Sequence, residues 1–296
     1  MPIFSVLGSM EIHAANHVFR PRGAMIQTLF ASLLAAEDRF VRADALAEEL
    51  WGAAPPAKSD NALQAQVSRL RRLLARAEPR EREQRLRTNV SGYRFSFHWT
   101  ELDASLFQHT VGAIRDRSTT DLRRDVADLR DALSLWRGPV FGGLLGGQIC
   151  QTAAAKYEES KIAALELLFD LELKTDGYSR IIPELTELVR QHPLREQFCS
   201  LLMVALYRSG RQIDALDAYR RLRRSLDEDL GVEPSPVLRR YELAILNHDP
   251  LLMRPERQVV PDRSGGRSTG VGSRPAGWHM KRSPRDRSLY SSLHLS

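Results

Sequence analysis

Apolar residues recur at helical spacing over most of this chain, with short alternating segments near its beginning and around residue 90. The first helical pattern predicts a helix from Met25 to near Ala36, and the second predicts one over Ala43–Trp51. Beyond Leu102 almost every segment has this periodicity. The helices predicted there are Leu106–Ile114, Leu122–Leu135, Thr152–Lys174, Ser179–Gln191, Arg195–Arg208, Gln212–Leu226 and Pro236–Leu246. The chain is therefore expected to be mainly α-helical.

The most informative helix is predicted over Asp60–Leu74, after a possible N-cap at Ser59 or Asp60. At about 100° per residue its apolar positions share one narrow face, made of Leu63, Val67, Leu70 and Leu74. Small, polar and basic residues occupy the opposite side: Asn61, Gln64, Ala65, Ser68, Arg69 and Arg72. Small side chains bring a backbone close to base edges in a major groove, where arginine can bind guanine or phosphate. The alternative is a solvated basic face on an ordinary helix.

Short strands accompany these helices. Ile3–Leu7, Glu11–His13 and Val18–Phe19 are predicted before the first helix. Leu86–Val90 and Tyr93–Phe97 are predicted to form a hairpin after the third. Three helices followed by a basic hairpin predict a winged helix. In it Arg85, Arg87 and Arg94 are expected to contact DNA backbone, although such a hairpin can also be a merely soluble sheet edge.

A weak repeat lies in the second half. Leu173–Gly177 and Leu206–Gly210 both read L-x-x-x-G at an offset of 33 residues. This offset is close to the ~34-residue period of tetratricopeptide helix pairs. A non-repetitive helical bundle stays open, because only two copies are visible. The predicted fold is mainly α: a winged helix-turn-helix with small β elements at 1–97, then an all-α tetratricopeptide-like helical domain at 98–250.

The charge distribution changes the picture at the end of the chain. Of 296 residues, 1–97 carry 14 Lys and Arg against 10 Asp and Glu, 98–250 carry 20 against 24, and 251–296 carry 9 against 3. The last segment is rich in Arg, Ser, Gly and Pro, and we expect a disordered basic tail. Within the folded part only Lys58–Phe97 is strongly basic, with 10 positive and 4 negative side chains.

Nothing in the sequence favours catalysis, so we predict that the protein is not an enzyme and has no cofactor or bound metal. The eight histidines are scattered without a metal-binding spacing. The glycine-rich run at 141–147 fails the phosphate-loop pattern because Gln148 stands where lysine is needed. Two cysteines, no basic leader before an apolar block and no membrane-length apolar run predict a cytoplasmic protein without membrane contact.

Several short motifs resemble those of the Streptomyces antibiotic regulatory proteins, which join an OmpR-type winged helix to a bacterial transcriptional activator domain. The first domain is represented by Phe4-Ser-Val-Leu-Gly8, Glu49-Leu-Trp-Gly52 with Pro55-Pro56, Val67-Ser-Arg-Leu-Arg-Arg-Leu-Leu74 and Gly92-Tyr-Arg94. The second is represented by Leu135-Trp-Arg-Gly-Pro139, His192-Pro-Leu-Arg-Glu196, 202–211, Ala215–Tyr219 and Leu230-Gly-Val-Glu-Pro234. The resemblance covers residues 3–250.

The resemblance implies an activator of a secondary-metabolite gene cluster that binds direct repeats in double-stranded DNA and contacts RNA polymerase. Direct repeats favour a head-to-tail homo-oligomer on DNA. The loop Gly52–Lys58 is longer than the turn of a plain helix-turn-helix, and we assign the polymerase contact to Gly52, Ala53, Ala54 and Lys58. The rival hypothesis is a helical-repeat adaptor that binds proteins without sequence-specific DNA binding.

Overall fold

Three helices and six short strands make up the first part of the chain in the computed structural model, which describes residues 3–14, 17–77, 85–117 and 121–253. The strands are β1 (Phe4–Ser5), β2 (Glu11–Ala14), β3 (His17–Phe19), β4 (Phe40–Arg42), β5 (Leu86–Asn89) and β6 (Gly92–Phe95). The helices are α1 (Ala24–Ala35), α2 (Ala43–Trp51) and α3 (Ser59–Ala77). The predicted winged helix is confirmed.

Two antiparallel sheets flank these helices. One has the order β1-β2-β3, and the other has the order β4-β6-β5. Strand β4 is not among the strands predicted from the sequence. Its three residues are too few to show alternation, and they form a strand because β6 pairs with them, with Val41 opposite Tyr93.

An aromatic cluster lies at the centre of this part. The rings of Phe4, Phe30 and Phe95 come from β1, α1 and β6, and their centroids are 5.3 to 5.9 Å apart in edge-to-face contacts. All three side chains are fully buried. Edge-to-face pairs add to the free energy gained by burying aromatic surface, so this cluster fixes the two sheets against α1.

The rest of the described chain is helical. Its helices are α4 (Asp103–Asp116), α5 (Leu122–Leu133), α6 (Gln148–Lys174), α7 (Tyr178–Gln191), α8 (Glu196–Arg208), α9 (Gln212–Leu230), α10 (Pro236–Leu246) and α11 (Pro250–Met253). Single turns of 3-10 helix occur at Trp99–Glu101 and Val140–Gly143. The periodicity found these long helices, but it missed the first turn of α6 because Gln148–Gln151 follows a glycine-rich loop.

The two L-x-x-x-G segments end equivalent helices. Leu173 is buried near the end of α6 and Leu206 is buried near the end of α8, and each helix packs against the next one along the chain. The pairs α6–α7 and α8–α9 thus follow one another as tetratricopeptide-like units, which confirms the predicted fold class. The glycines differ, since Gly210 has a φ of +75° and Gly177 does not adopt a positive φ.

Packing does not divide the chain at residue 97. One hydrophobic core runs from β1 into α6, and a second runs from the later turns of α6 to α10. Helix α6, with 27 residues, therefore belongs to both cores. The division into domains at 1–97 and 98–250 stays a prediction. The two hydrophobic cores meet elsewhere, within α6.

Buried carboxylates join the winged helix to the helices that follow. Glu49 of α2 accepts hydrogen bonds from the backbone N–H groups of Gly147 (3.0 Å) and Cys150 (3.3 Å) at the start of α6. Asp103 of α4 accepts from the backbone N–H groups of Val6 (2.8 Å) and Leu7 (3.1 Å). A buried carboxylate with these partners satisfies N–H groups that a helix start or strand end leaves unpaired.

The predicted tail needs one correction. We placed its start at residue 251, but residues 251–253 belong to α11, and the carbonyl oxygen of Leu252 accepts a hydrogen bond from Arg208 at 2.6 Å. The remainder of the predicted tail, residues 254–296, lies outside the described residues.

Candidate nucleic-acid interface

The outer face of α3 carries every helix residue that the sequence assigned to DNA. Asn61, Gln64, Ala65, Ser68, Arg69 and Arg72 are all solvent-exposed. The opposite face is buried against α1 and α2 through Leu63, Val67, Leu70, Leu74 and Ala77. The amphipathic pattern is thus confirmed, and the six candidate residues form one accessible surface, here called the α3 face.

Two arginines give the α3 face its charge. Among the described residues, Arg69 and Arg72 make no ion pair and no side-chain hydrogen bond with the protein. They are three positions apart, so they project from the same side of the helix. Their guanidinium groups remain available for the two acceptors of a guanine edge or for phosphate oxygens.

Arg71 connects α3 to the hairpin. Its Nη2 donates to the carbonyl oxygen of Leu86 at 3.2 Å and to Thr88 Oγ1 at 2.6 Å, both on β5. Arg71 is not among the residues predicted from the sequence to bind DNA. The only available signal was its position between the buried and exposed faces of the helix, where a long side chain can reach sideways. Arg71 sets where the hairpin stands relative to the α3 face.

The structure corrects the role expected for Arg85. This side chain is only 6% exposed, and its guanidinium group forms a two-pronged ion pair with Glu101 at 2.9 and 2.8 Å. Its Cζ also lies 5.1 Å from the centre of the Phe4 ring. Arg85 therefore stabilises the core edge beside the 3-10 turn and does not lie on a surface that phosphate can approach.

The other two hairpin arginines are exposed. Arg87 and Arg94 lie directly opposite each other on β5 and β6. Arg94 is engaged with Asp38 through two hydrogen bonds of 3.0 and 2.6 Å, and these bonds hold the pKa of Asp38 below its usual range. Arg87 also lowers that pKa through its charge. Both arginines therefore lie on the exposed side of the hairpin, near Asp38.

An exposed apolar residue, which was not among the predicted site residues, lies at the tip of the hairpin. Val90, which follows Asn89 in the turn, is fully exposed. Gly92 then allows β6 to approach β4, because a Cβ atom there would lie 2.1 Å from the carbonyl oxygen of Val41. The tip of the hairpin therefore presents an apolar side chain to solvent.

The loop between α2 and α3 is exposed along its whole length, including Gly52, Ala53, Ala54 and Lys58. Gly52 ends α2 with a φ of +57°, a conformation that glycine adopts without steric strain. The loop is therefore accessible to a partner beside α3. Its predicted contact with polymerase stays a prediction.

Elsewhere, in the described part of the chain, no group of three or more His, Cys, Asp or Glu side chains is placed to hold a metal ion. Cys150 and Cys199 are buried free thiols, and burial raises the pKa of each to about 12. None of the helices that the structure describes is long and apolar enough to cross a bilayer.

Comparison with known families matches both parts of the chain. The model for the "Transcriptional regulatory protein, C terminal" family matches residues 26–95, and the model for the "Bacterial transcriptional activator domain" family matches residues 102–246. The first match includes α3 and the hairpin, and the second runs from the residue before α4 to the end of α10.

Individual relatives agree with these matches. The chain is 40% identical to the transcriptional regulator RedD of Streptomyces coelicolor over 85% of this chain and 72% of that protein. It is 32% identical to the regulatory protein DnrI of Streptomyces peucetius over 83% of this chain and 92% of that one. It is also 32% identical to the regulatory protein AfsR of Streptomyces griseus, of which it spans only 26%.

A solved structure shares the fold. The chain superposes on EmbR of Mycobacterium tuberculosis, solved in complex with a low affinity phosphopeptide, with a TM-score of 0.78 and 30% sequence identity. The match covers 83% of this chain and 65% of the EmbR chain.

Proposed function

Because this chain belongs to the Streptomyces antibiotic regulatory protein family of transcriptional activators, we propose that it binds promoter DNA of a secondary-metabolite gene cluster through the α3 face. One observation carries the proposal: Arg69 and Arg72 are exposed on this helix and, among the described residues, have no protein partner. An arginine that already binds a carboxylate must give up that ion pair before it can bind DNA. Within the described part of the chain, Arg69 and Arg72 have no such ion pair to lose, so all their N–H groups can bind DNA.

The α3 face would lie in the major groove, where Ala65 and Ser68 permit close approach of the helix backbone. The hairpin would contact the neighbouring backbone through Arg87, with Val90 at its tip directed to the minor groove. This division assigns sequence discrimination to α3 and anchoring to the hairpin.

We further propose that two copies bind direct repeats head to tail, since a direct repeat presents the same face of the duplex twice in one direction. Half-sites one helical turn apart, about 10–10.5 bp, would place both copies on one side of the DNA. Inserting about 5 bp between the repeats would rotate one copy to the opposite side and should abolish cooperative binding.

Fluorescence anisotropy with duplexes from the promoters neighbouring its own gene tests DNA recognition directly. We expect tight binding that survives an excess of random duplex. If cognate and random duplexes bind equally at low and moderate salt, sequence-specific recognition is wrong and the protein-binding adaptor hypothesis replaces it.

The loop from Gly52 to Lys58 is proposed to contact RNA polymerase, because it is exposed beside α3 and carries no residue of the α3 face. Replacing the loop by a short glycine turn should leave DNA affinity within about 2-fold while transcription from the cognate promoter falls. A purified transcription assay with unchanged output would contradict this assignment.

A further inference from the structure

A cavity of about 660 Å³ opens between the turn after α1 and helix α4. None of its lining residues belongs to α3 or to strands β5 and β6, although the lining residue Asp38 binds Arg94 of β6. This volume falls within the roughly 300–1,000 Å³ of small-molecule sites. Its walls differ in chemistry, and each wall is suited to a different chemical group of a ligand.

One wall is aromatic. Phe97 and Trp99 line it, and His109 of α4 stacks on Trp99 with ring centres 4.2 Å apart and planes 28° from parallel. Trp99 remains 40% exposed, so part of its ring surface is accessible to a ligand. This wall suits a flat or alicyclic apolar body.

The inner wall contains a polar group that has no partner. Ser105 lines the cavity and is only 8% exposed, yet its hydroxyl group makes no hydrogen bond within the part of the chain that the structure describes. This hydroxyl group still reaches solvent within the cavity, so a ligand group can take the place of water as its hydrogen-bond partner. About two turns further along α4, Gly112 leaves open space where a side chain would stand.

Carboxylates surround the outer part of the cavity. Glu37 is paired with Lys156 at 2.8 Å and Asp38 is paired with Arg94, but Asp116 forms no ion pair with the described residues. Asp116 lies on the same face of α4 as Ser105 and Gly112, at positions i, i+7 and i+11. The rise of a helix separates Ser105 and Asp116 by roughly 16 Å along its axis, so the face is elongated.

We propose that this cavity binds an elongated organic amine. The ammonium group pairs with Asp116, the apolar body lies over Gly112 against Phe97 and Trp99, and a polar group at the far end bonds to Ser105. This site is independent of the proposed DNA binding, and its test uses the full chain without DNA.

The test uses 4′-(aminomethyl)biphenyl-4-ol, which carries an ammonium group, a flat body and a hydroxyl group at the other end. Two analogues each lack one feature: the neutral 4′-(hydroxymethyl)biphenyl-4-ol and the non-phenolic 4-(aminomethyl)biphenyl. Binding is followed by ¹⁹F NMR of protein labelled with 5-fluorotryptophan. The chain has 4 Trp residues, and the Trp99 signal is identified by its loss in Trp99→Phe.

We expect a saturable shift of the Trp99 signal while the other tryptophan signals stay in place. The neutral analogue should bind at least 10-fold more weakly, and Asp116→Asn should weaken the amine at least 5-fold. Ser105→Ala should weaken the phenolic amine about 3-fold and leave the non-phenolic amine unchanged. Asp229→Asn is the matched control, since Asp229 is exposed near the end of α9 and forms no ion pair among the described residues.

Three results would overturn the proposal. They are no saturable shift of the Trp99 signal at millimolar amine, equal binding of the neutral analogue, and equal loss of affinity in Asp116→Asn and Asp229→Asn. Thermal melting of Asp116→Asn and Ser105→Ala shows whether each variant keeps its fold. A loss of binding counts as evidence about the site only when the fold is kept.

Discussion

The arginines of α3 and those of the hairpin have the same chemistry but different surroundings. Arg69 and Arg72 project from α3 into solvent with no protein partner among the described residues. Arg85 and Arg94, by contrast, each donate two hydrogen bonds to one carboxylate. The first pair can give its full hydrogen-bonding capacity to DNA, while the second already uses it to stabilise the protein.

Arginines of the same basic segment therefore have different expected roles, DNA recognition for those of α3 and protein stability for Arg85 and Arg94. Counting positive residues over 58–97 treats all the arginines alike, although only a subset lies free of carboxylates. A buried two-pronged ion pair is costly to break because one charge then remains without a partner. The comparison therefore predicts that removing the Arg85 partner affects folding, whereas removing Arg69 affects DNA selection.

The largest effect is expected from Glu101→Gln, which removes the charge that Arg85 binds. We expect the free energy of unfolding to fall by about 2 kcal/mol, less than the ~3–5 kcal/mol of a fully buried pair because Glu101 is partly exposed and glutamine keeps a hydrogen bond. Urea denaturation followed by circular dichroism measures the change. Glu228→Gln, at an exposed residue without an ion pair among the described residues, is the control.

The same variant has a defined pH dependence. The hydrogen bond from Arg85 holds the pKa of Glu101 below its usual range. A carboxyl group with a lowered folded-state pKa stabilises the fold fully above its unfolded-state pKa, ~4.3, and loses this contribution as pH falls through the lowered value. The stability difference between wild type and Glu101→Gln should be full at pH 7 and shrink below about pH 4. A difference that persists undiminished at pH 3 would contradict the ion-pair explanation.

Arg69→Ala should have the next largest effect, and it should act on selectivity. A forked contact to guanine carries ~1–3 kcal/mol, so the ratio of cognate to random affinity should fall about 10-fold or more. Arg72→Ala tests the neighbouring position in the same anisotropy assay. Arg224→Ala on α9 removes an equally exposed helical arginine as a control. If both α3 variants weaken cognate and random duplexes equally, α3 does not read sequence.

Arg71→Lys tests the connection between the two regions. Lysine keeps the charge but cannot reproduce both hydrogen bonds to β5, each worth about 0.5–1.5 kcal/mol when formed. We expect a loss of affinity of about 3- to 10-fold on cognate DNA, with the ratio to random DNA less affected than in Arg69→Ala. Amide hydrogen exchange of Thr88 should increase in parallel. Unchanged exchange together with lost affinity would show that Arg71 contacts DNA directly.

The smallest effect is expected from Arg87→Ala, because a phosphate contact anchors without discriminating sequence. Affinity should fall by a similar factor on cognate and random duplexes, and the slope of log affinity against log salt should decrease by about one unit. Titrations between roughly 50 and 200 mM salt, a range over which phosphate contacts weaken, measure the slope. An unchanged slope would remove Arg87 from the interface.

The helices of the winged helix follow closely from local pattern. Helix α2 spans the predicted residues 43–51, and α3 extends the predicted helix by one turn to Ala77. Its exposed face also follows, because a period of 3.6 residues fixes which side chains share a side. Strand β4 could not be found in this way, since its pairing with β6 joins residues about fifty positions apart.

The sequence by itself determined the order of the helices, the apolar and polar faces of α3, and the family to which the chain belongs. These depend on spacing along one element, which a linear pattern records. Only the tertiary structure decided that Arg85 is buried against Glu101, that Arg71 ties α3 to β5, and that the two cores meet within α6. Each of these depends on which distant group lies opposite a side chain, and charge or periodicity at one position carries no information about that partner.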